Sequence, residues 1–573
     1  MAARRRKTNF ERTERTFLKI ILGIGGGLVL LILLGVGGFN LYQKWEQRHL
    51  VRVAVAYMSG GDLRASSLSA QRAFQIYPSA DTARIIAQIA ERSGDRSALG
   101  WRRKVLELEP QSKEDALSLV RTALRNNDLG TAEKTLAAFD DKAKQTADYH
   151  AASGRLAEMK KDLGTSEFHW EKAAEIAPNE PSYQFQLALV RLETGDPTKR
   201  ESARAALERL KKDPKQRVAA LRTLVADDAA HHEEPQKLRL LAEELQDCPE
   251  AAFNDRIIYL EILRQLHDPA FAEYLEKLKK EAPADPANLS SLVNWMSVNN
   301  METAALEFTS RLPADSLEKW PVPPTICETY AKLKDWAGLE TLAAKVQWKS
   351  HEYLGNAYLA RALRGQSRDA DAEKAWIIAQ RQASNQPQSI SNLARAVSAW
   401  GWQSEAADLL WSLTKFPETR IEALQALYQL YASRSDTSGL YRALLRMSLI
   451  APDDITVKNN LAQISLLLGA EVARAQKMAS EVYASDPSNP AFVSTYAFSL
   501  YTAGDVEAAI QVMDKLPANR LKEPSLAAYY GVFLAAVGRN EKASEFLQVG
   551  AKAMLLPEEE ALVAKAKATI EQH

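Results

Sequence analysis

Residues 504–517, GDVEAAIQVMDKLP, contain the pattern that decides the fold of this chain. Gly504 can end one helix, because glycine adopts the left-handed conformation of a helix C-terminus at little cost. Ala509 is small at the point where two helices cross, which lets their axes approach to about 8–10 Å. Met513 fills the bulkier position after it, and Pro517 cannot continue the second helix. The stretch therefore predicts a helical hairpin followed by another turn.

The same pattern recurs along the chain from about residue 50 to residue 557. Near the start a turn at Gly61 leads to a proline, and near the end Gly538 leads to another. One hairpin cannot bury its apolar face alone, so the recurrence predicts stacked hairpins that bury it on their neighbours. The repeat positions predicted in this way are Gly61, Ala73, Pro78, Trp170, Ala173, Pro178, Gly504, Ala509, Gly538 and Ala543.

Composition indicates an all-α protein without a nucleic-acid role. Alanine and leucine are abundant and β-type alternation is scarce, which favours helices throughout. The chain has 573 residues, too many for one ordinary compact domain, whereas a repeat array has no such limit. The 73 basic and 73 acidic residues cancel, and no basic cluster follows the first twenty residues. Nucleic-acid binding needs such a cluster, so none is expected.

An uncharged segment at residues 20–43 predicts a transmembrane helix. At about 1.5 Å per residue, twenty-odd residues cross the roughly 30 Å hydrocarbon core. Tyr42 and Trp45 lie where an interfacial aromatic belt is expected. A cleaved signal peptide is the alternative, but its apolar region would be shorter and end in small residues. Gly23 and Gly27 have a spacing that permits helix pairing, so a homo-oligomer is possible.

The flanks of this segment predict its orientation. The tail at residues 1–19 carries seven basic and two acidic side chains, whereas Tyr42 to Arg52 carries three and one. The positive-inside rule then places the tail in the cytoplasm and the bulk of the chain across the membrane. A single-pass protein of a bacterial inner membrane, with its soluble part in the periplasm, is the expected localisation.

The repeat spacing resembles the tetratricopeptide repeat family, whose unit is 34 residues. The family's turn residue, two small positions and closing proline match two sets of residues. These sets are Gly61, Ser66, Ala73 and Pro78, and Lys161, Ser166, Ala173 and Pro178, with Trp170 in the bulky position. The resemblance implies a superhelical solenoid of about twelve to fifteen units, whose first helices line a concave groove. It is weakest over residues 215–350.

Two arrays are predicted, at residues 50–319 and 325–557, the first degenerate from about residue 215. The sequence Trp320-Pro321-Val322-Pro323-Pro324 separates them, because prolines stop helices. A long loop between two repeats is the alternative reading of these prolines. Residues 558–573 predict a closing helix with a polar outer face, as the end of a solenoid requires.

No pattern of catalytic or metal-binding residues stands out. The eight histidines include no HExxH spacing, and Cys248 and Cys327 form no CxxC pair. No enzyme, cofactor or metal is therefore expected, although a hidden site in the degenerate middle would escape this reasoning. The two cysteines are expected to stay free thiols, because 79 residues of an extended array separate them.

The expected function is protein binding by a membrane-anchored scaffold. A protein or peptide would lie in the concave groove, and residues 20–43 would hold the chain at the membrane. Family resemblance implies assembly of envelope, secretion or polysaccharide machinery. The alternative is a cytosol-facing transport or import receptor with the same layout. Eight of the eleven tryptophans lie between Trp295 and Trp411, either as a peptide-binding face or as packing between helices.

Overall fold

The computed structural model describes residues 41–95, 97–231 and 234–572. These residues form helices and turns, with no β-strand among them. The helices are α1 (41–59), α2 (Leu63–Ile76), α3 (Ala80–Ser93), α4 (Ala98–Leu108), α5 (Lys113–Arg125), α6 (Leu129–Ala137), α7 (Ala147–Met159), α8 (Leu163–Ile176), α9 (Pro181–Glu193), α10 (Pro197–Leu210), α11 (Arg217–Ala230), α12 (Pro235–Gln246), α13 (Phe253–Gln265), α14 (Phe271–Glu281), α15 (Pro286–Val298), α16 (Glu302–Ser310), α17 (Ala314–Leu317), α18 (Val322–Lys332), α19 (Trp336–Lys345), α20 (Glu352–Gly365), α21 (Asp369–Ala383), α22 (Pro387–Ala399), α23 (Gln403–Leu413), α24 (Arg420–Ser433), α25 (Thr437–Ile450), α26 (Ile455–Leu468), α27 (Val472–Ser485), α28 (Pro490–Thr502), α29 (Val506–Met513), α30 (Ala518–Leu521), α31 (Pro524–Ala536), α32 (Asn540–Gly550) and α33 (Pro557–Glu571). Short 3₁₀ turns lie at Ala143–Gln145, Ala282–Ala284 and Lys349–His351.

Consecutive helices pair as hairpins, as the sequence predicts. Within the described residues, α1 to α32 make fifteen hairpins if the one-turn helices α17 and α30 are set aside. The partners contact each other along their lengths, for example α7 with α8, α20 with α21 and α31 with α32. The helical-repeat fold expected from the sequence is therefore confirmed for the described chain.

At least one left-handed residue marks the turn inside almost every hairpin. Fourteen of the fifteen turns contain one, and the remaining turn includes the undescribed residues 232 and 233. These residues are Gly61, Gly94, Asn127, Lys161, Gly195, His267, Asn300, Lys334, Ser367, Gly401, Ser435, Gly469, Gly504 and Gly538. Apart from the step across the undescribed turn, they recur every 33 to 35 residues. The backbone thus keeps one register where the sequence pattern fades.

An aspartate often follows the left-handed residue and begins the second helix. Asp128, Asp335 and Asp436 each accept a hydrogen bond from the backbone N–H three residues later, at 2.8–3.0 Å. Such a cap satisfies a donor that the first turn of a helix leaves unpaired. It fixes where the second helix starts, even when Lys334 or Ser435 replaces the turn glycine.

The chain divides into two compact units, Met1–Leu275 and Glu276–His573, with the boundary inside α14. This boundary does not coincide with the one predicted at residues 319–325. Pro323 and Pro324 lie in the first turn of α18, where a missing N–H costs no hydrogen bond. The hairpin register runs through them, since the left-handed residues Asn300 and Lys334 are 34 residues apart.

No helix in the described part of the chain is long and apolar enough to span a membrane. The tail at 1–19 and most of the transmembrane segment predicted at 20–43 lie outside the described residues. The final three residues of that segment begin α1. At the other end of the chain, α33 covers nearly all of the predicted closing helix and packs on α31 and α32.

Candidate peptide-binding groove

The predicted small positions lie at the crossings between paired helices. Ala73, Ala173, Ala509 and Ala543 have no exposed surface. Ser66 is equally buried, and its hydroxyl donates a 2.7 Å hydrogen bond to the carbonyl of Ala54 on the paired helix. A larger side chain at these crossings would separate the helices. The predicted prolines Pro78 and Pro178 lie in the short connections that follow α2 and α8.

Trp170 shows how a bulky position is accommodated in the same register. Its indole lies against Gly154 of α7, where an added Cβ would lie 2.9 Å from the indole nitrogen. That nitrogen donates a 2.7 Å hydrogen bond to the carboxylate of Glu158. Trp170 is therefore a packing residue whose single polar atom has a partner.

First helices of successive hairpins line the inner face of the array in the second unit. Helix α26 contacts α28, and α28 contacts α31, although each pair is separated in sequence by a second helix. In a curved stack the helices on the inside are the closer set. The inner face between residues 455 and 536 is thus formed by α26, α28 and α31, and the first helix α24 precedes them in the array.

A cavity of about 450 Å³ lies on this inner face. Its walls combine small and apolar side chains with neutral polar ones and the carboxylate of Glu559, and none of the described residues that line it is lysine or arginine. The lining residues are Tyr428, Ala432, Ser433, Ser435, Leu440, Asn460, Gln463, Ile464, Ala491, Ser494, Ser525, Leu526, Tyr529, Met554, Leu555, Leu556 and Glu559. Apolar walls with a few placed polar groups are typical of ligand sites.

The last residues of that set belong to a segment that crosses the inner face. We define residues 551–559, between α32 and the first turn of α33, as the C-terminal strap. Leu555 packs against the core cluster that contains Phe498 and Tyr529. Leu556 packs against a different cluster, which contains Leu427 and Leu440. The strap therefore joins two parts of the core through two adjacent leucines.

Two glutamates of the strap are held by neutral donors from the array. Glu559 is buried, and its Oε1 accepts hydrogen bonds from the Tyr529 hydroxyl at 2.5 Å and from Gln463 Nε2 at 3.2 Å. Glu558 accepts a hydrogen bond from the hydroxyl of Thr437. Burial, and then the charge of Glu559, raise the pKa of Tyr529 well above its ordinary value, so this phenol stays a donor.

The tryptophan-rich segment, residues 295–411, has a different inner face. Trp348 and Trp376 are core residues, and Trp336, Trp400 and Trp402 pack against the same cluster. The carboxylate of Glu328 on α18 accepts hydrogen bonds from Tyr358, Arg361 and Trp400, all at 2.8–2.9 Å. These contacts favour packing between helices over an open binding face.

Two arginines complete this network. The guanidinium of Arg361 lies 4.6 Å from the ring centre of Trp400, and that of Arg364 lies 3.8 Å from the ring centre of Trp402. Arg364 also pairs with Glu405 at 2.8 Å. Cation–π contacts of this kind stabilise the rings where they are. The inner face of this segment is consequently covered by its own side chains.

Other titratable groups form no catalytic arrangement in the part of the chain that the structure describes. Cys248 and Cys327 are buried free thiols, and burial raises the pKa of both. Nδ1 of His150 lies 2.9 Å from Nδ1 of His169, and burial lowers the pKa of each. No group of three or more histidine, cysteine, aspartate or glutamate side chains able to hold a metal occurs among the described residues.

Sequence reasoning did not find the groove residues. Gln463, Tyr529 and Glu559 are separated by tens of residues, and each is unremarkable in its local pattern. The one available signal was the pair Leu555-Leu556 before Pro557 and three glutamates, where an apolar pair lies outside the helical periodicity. The fold brings these groups together through contacts of α33 with α26 and α31.

The fold and the groove define a helical-hairpin repeat protein. A tetratricopeptide repeat family model matches residues 466–531, which span parts of α26 to α31. This segment is thus similar to tetratricopeptide repeats, which agrees with the repeat resemblance stated from the sequence. No curated protein matches the chain.

Three solved structures match the chain at low identity. The APC/C hetero-tetramer Cut9-Hcn1 has 12% identity and a TM-score of 0.29, covering 79% of this chain and 96% of that chain. Pseudomonas aeruginosa pilF has 13% identity and a TM-score of 0.26, covering 42% and 95%. Naa15/Naa10 bound to HypK-THB has 14% identity and a TM-score of 0.24, covering 92% and 78%. Likenesses at this level carry no information about function.

Proposed function

We propose that this protein is a membrane-anchored scaffold that binds a protein or peptide on the inner face of its C-terminal repeats. The observation that carries the proposal is the cavity between α24 and α31, with its apolar walls and its neutral hydrogen-bond groups. A groove of this kind binds without covalent chemistry, since an extended segment can place its side chains along the walls.

The membrane part of the proposal rests on the sequence of residues 20–43 and on the start of α1. Leu41, Tyr42 and Trp45 are each more than half exposed there. Lys44, Arg48 and Arg52 follow on the same helix at intervals of four residues, which places them on one face. Exposed aromatic rings next to basic side chains suit a membrane interface.

We place the repeats in the bacterial periplasm, where the scaffold would support assembly of envelope, secretion or polysaccharide machinery. The alternative is a cytosol-facing import receptor. Protease added to cells with a permeabilised outer membrane separates the two. Digestion of the repeats supports the periplasmic orientation, whereas digestion only after lysis supports the cytosolic receptor.

Site-specific photo-crosslinking tests the groove itself. A photoreactive amino acid at Ser433 or Ala491 would face the cavity, because both side chains are exposed and line it. The matched control is Gln511, which is exposed on the second helix α29. We expect one discrete crosslinked partner from the groove positions and none from Gln511. Equal crosslinking from all three positions would contradict the proposal.

A further inference from the structure

The C-terminal strap occupies the groove in the way a bound peptide would. It is not helical between residues 551 and 556, and it runs across the inner face before α33 begins. Its contacts reach far back along the chain, since Glu558 bonds to a residue 121 positions earlier. A helix that only capped the last hairpin would contact α31 and α32, whereas α33 also contacts α26.

The strap shows which chemistry the groove accepts. Leu555 and Leu556 fill two adjacent apolar sites, formed by the two core clusters described above. Glu558 and Glu559 follow after one proline and meet the hydroxyls of Thr437 and Tyr529 and the amide of Gln463. The groove therefore binds two aliphatic side chains followed by two carboxylates.

The contacts that Glu558 and Glu559 of the strap make with the array include no ion pair. No ion pair of the described residues involves Glu558 or Glu559, and no cation lines the cavity. Each of these hydrogen bonds has one charged partner, the carboxylate, and no cation adds a second. Met554, in the middle of the strap, is fully exposed and contributes no buried surface. These features suit a segment that is held in place and can be displaced.

We propose that the groove binds partner segments with two adjacent aliphatic residues followed by two acidic residues, and that the strap is an intramolecular competitor for the same site. This inference rests on the proposed function and names its partner class. A tethered competitor acts at a high effective concentration, so the groove is free in only a fraction of the molecules. The apparent affinity for a partner falls by that fraction.

The test uses a fluorescent peptide with the sequence of residues 551–562, AKAMLLPEEEAL. It is titrated against the detergent-solubilised full chain and against a strap-release variant, Leu555→Ser, Leu556→Ser, Glu558→Gln and Glu559→Gln. Glutamine at 559 can still cap α33. The matched control changes two exposed neighbours, Lys552→Ser and Glu560→Gln. We expect the strap-release variant to bind the peptide at least about tenfold more tightly than the wild type or the control.

Two further arms identify the site and the chemistry. Adding Gln463→Leu and Tyr529→Phe to the strap-release variant should weaken peptide binding about tenfold or more. A peptide with both leucines changed to serine should not bind, and one with glutamines in place of the glutamates should bind more weakly. Equal binding by the wild type and the strap-release variant would overturn the inference, as would equal binding of the serine peptide.

Hydrogen exchange of the wild-type chain tests the same inference without the variant, in case the variant does not fold. Excess peptide should speed exchange in residues 551–572 and slow it in α26 and α28, and no change in either would overturn the inference. Light scattering tests whether the strap is exchanged between two copies of the chain. A wild-type dimer that becomes a monomer in the strap-release variant would also overturn the inference. The crosslinking experiment tests the proposed function independently. If a partner is captured at Ser433 but the peptide does not bind, the role of the strap is refuted and the proposed function is not.

Discussion

The inner faces of two adjacent segments of the second unit differ in how they are covered. In the tryptophan-rich segment, Trp400 and Tyr358 donate to one carboxylate, and arginines lie on the indole rings. Between α24 and α31 the inner face keeps a cavity, and within the described chain the C-terminal strap covers it. The same repeat can thus make a closed wall or a groove. The difference lies in the tryptophans and arginines that cover the inner face of the first segment and are absent from the lining of the cavity.

The first prediction tests whether the groove segment depends on close helix packing. Ala509→Leu should destabilise the C-terminal repeats by up to about 3 kcal/mol, because Ala509 has no exposed surface and overpacking forces helices apart. Thermal unfolding measured by circular dichroism, together with hydrogen exchange in α28 and α29, would record the loss. Glu507→Ala is the control, since the exposed pair between Glu507 and Arg539 contributes at most about 1 kcal/mol. Equal melting of both variants would contradict the register.

The second prediction tests the closed wall. Gly355→Ala should destabilise α20 by about 2 kcal/mol, because the new Cβ would lie 2.4 Å from Cδ1 of the buried Trp348. Gly100→Ala is the same substitution at a helical site with open space around it. It should stabilise the first unit by about 0.5–1 kcal/mol. Melting temperatures shifted in the same direction would refute this assignment.

The third prediction sharpens the contrast at the groove. Tyr529→Phe should weaken docking of the strap by about 1–2 kcal/mol, because it removes a donor from the buried carboxylate of Glu559. Faster hydrogen exchange in α33, with exchange in α20 unchanged, would confirm it. Tyr501→Phe is a matched change at a neighbouring tyrosine that packs on the same cluster. If α33 exchanged equally fast in both variants, the hydroxyl of Tyr529 would not hold the strap.

The smallest effect is expected in the closed wall of the tryptophan-rich segment. Trp400→Phe removes the donor to Glu328 and should cost about 0.5–1 kcal/mol, since that hydrogen bond is exposed to solvent. Tyr358 and Arg361 still satisfy the carboxylate. Urea unfolding followed by tryptophan fluorescence would measure the change. A loss larger than that of Gly355→Ala would show that hydrogen bonds, and not packing, close this wall.

Much of the repeat architecture could be predicted from local sequence. The turn at Gly504, the small residue Ala509 and the closing Pro517 each act within one hairpin, so their physics is readable over a dozen residues. The sequence pattern does not reveal the hairpin register where His267, Lys334 and Ser435 take the left-handed position in place of glycine. The aspartate after each of these residues is the signal that would have recovered it.

The groove could not be predicted in the same way, because its contacts join distant residues. Glu559 meets Gln463 and Tyr529 only because three hairpins of fixed size, from α26 to α32, precede α33. The tryptophans posed the converse problem, since an indole at a helix–helix contact and one on a binding face have the same local sequence. The contacts of Trp400 and Trp402 with arginines favour the first interpretation.

The long-range contact between Glu558 and Thr437 has a consequence for how the chain end unfolds. A linear stack of repeats frays from its terminus, since each unit is held by its nearest neighbours alone. Here the terminal helix is fastened to α25 and α26, so the last hairpin cannot open without breaking contacts with hairpins well before it. Release of the strap and α33 therefore removes contacts from α25 and α26 as well as from the last hairpin.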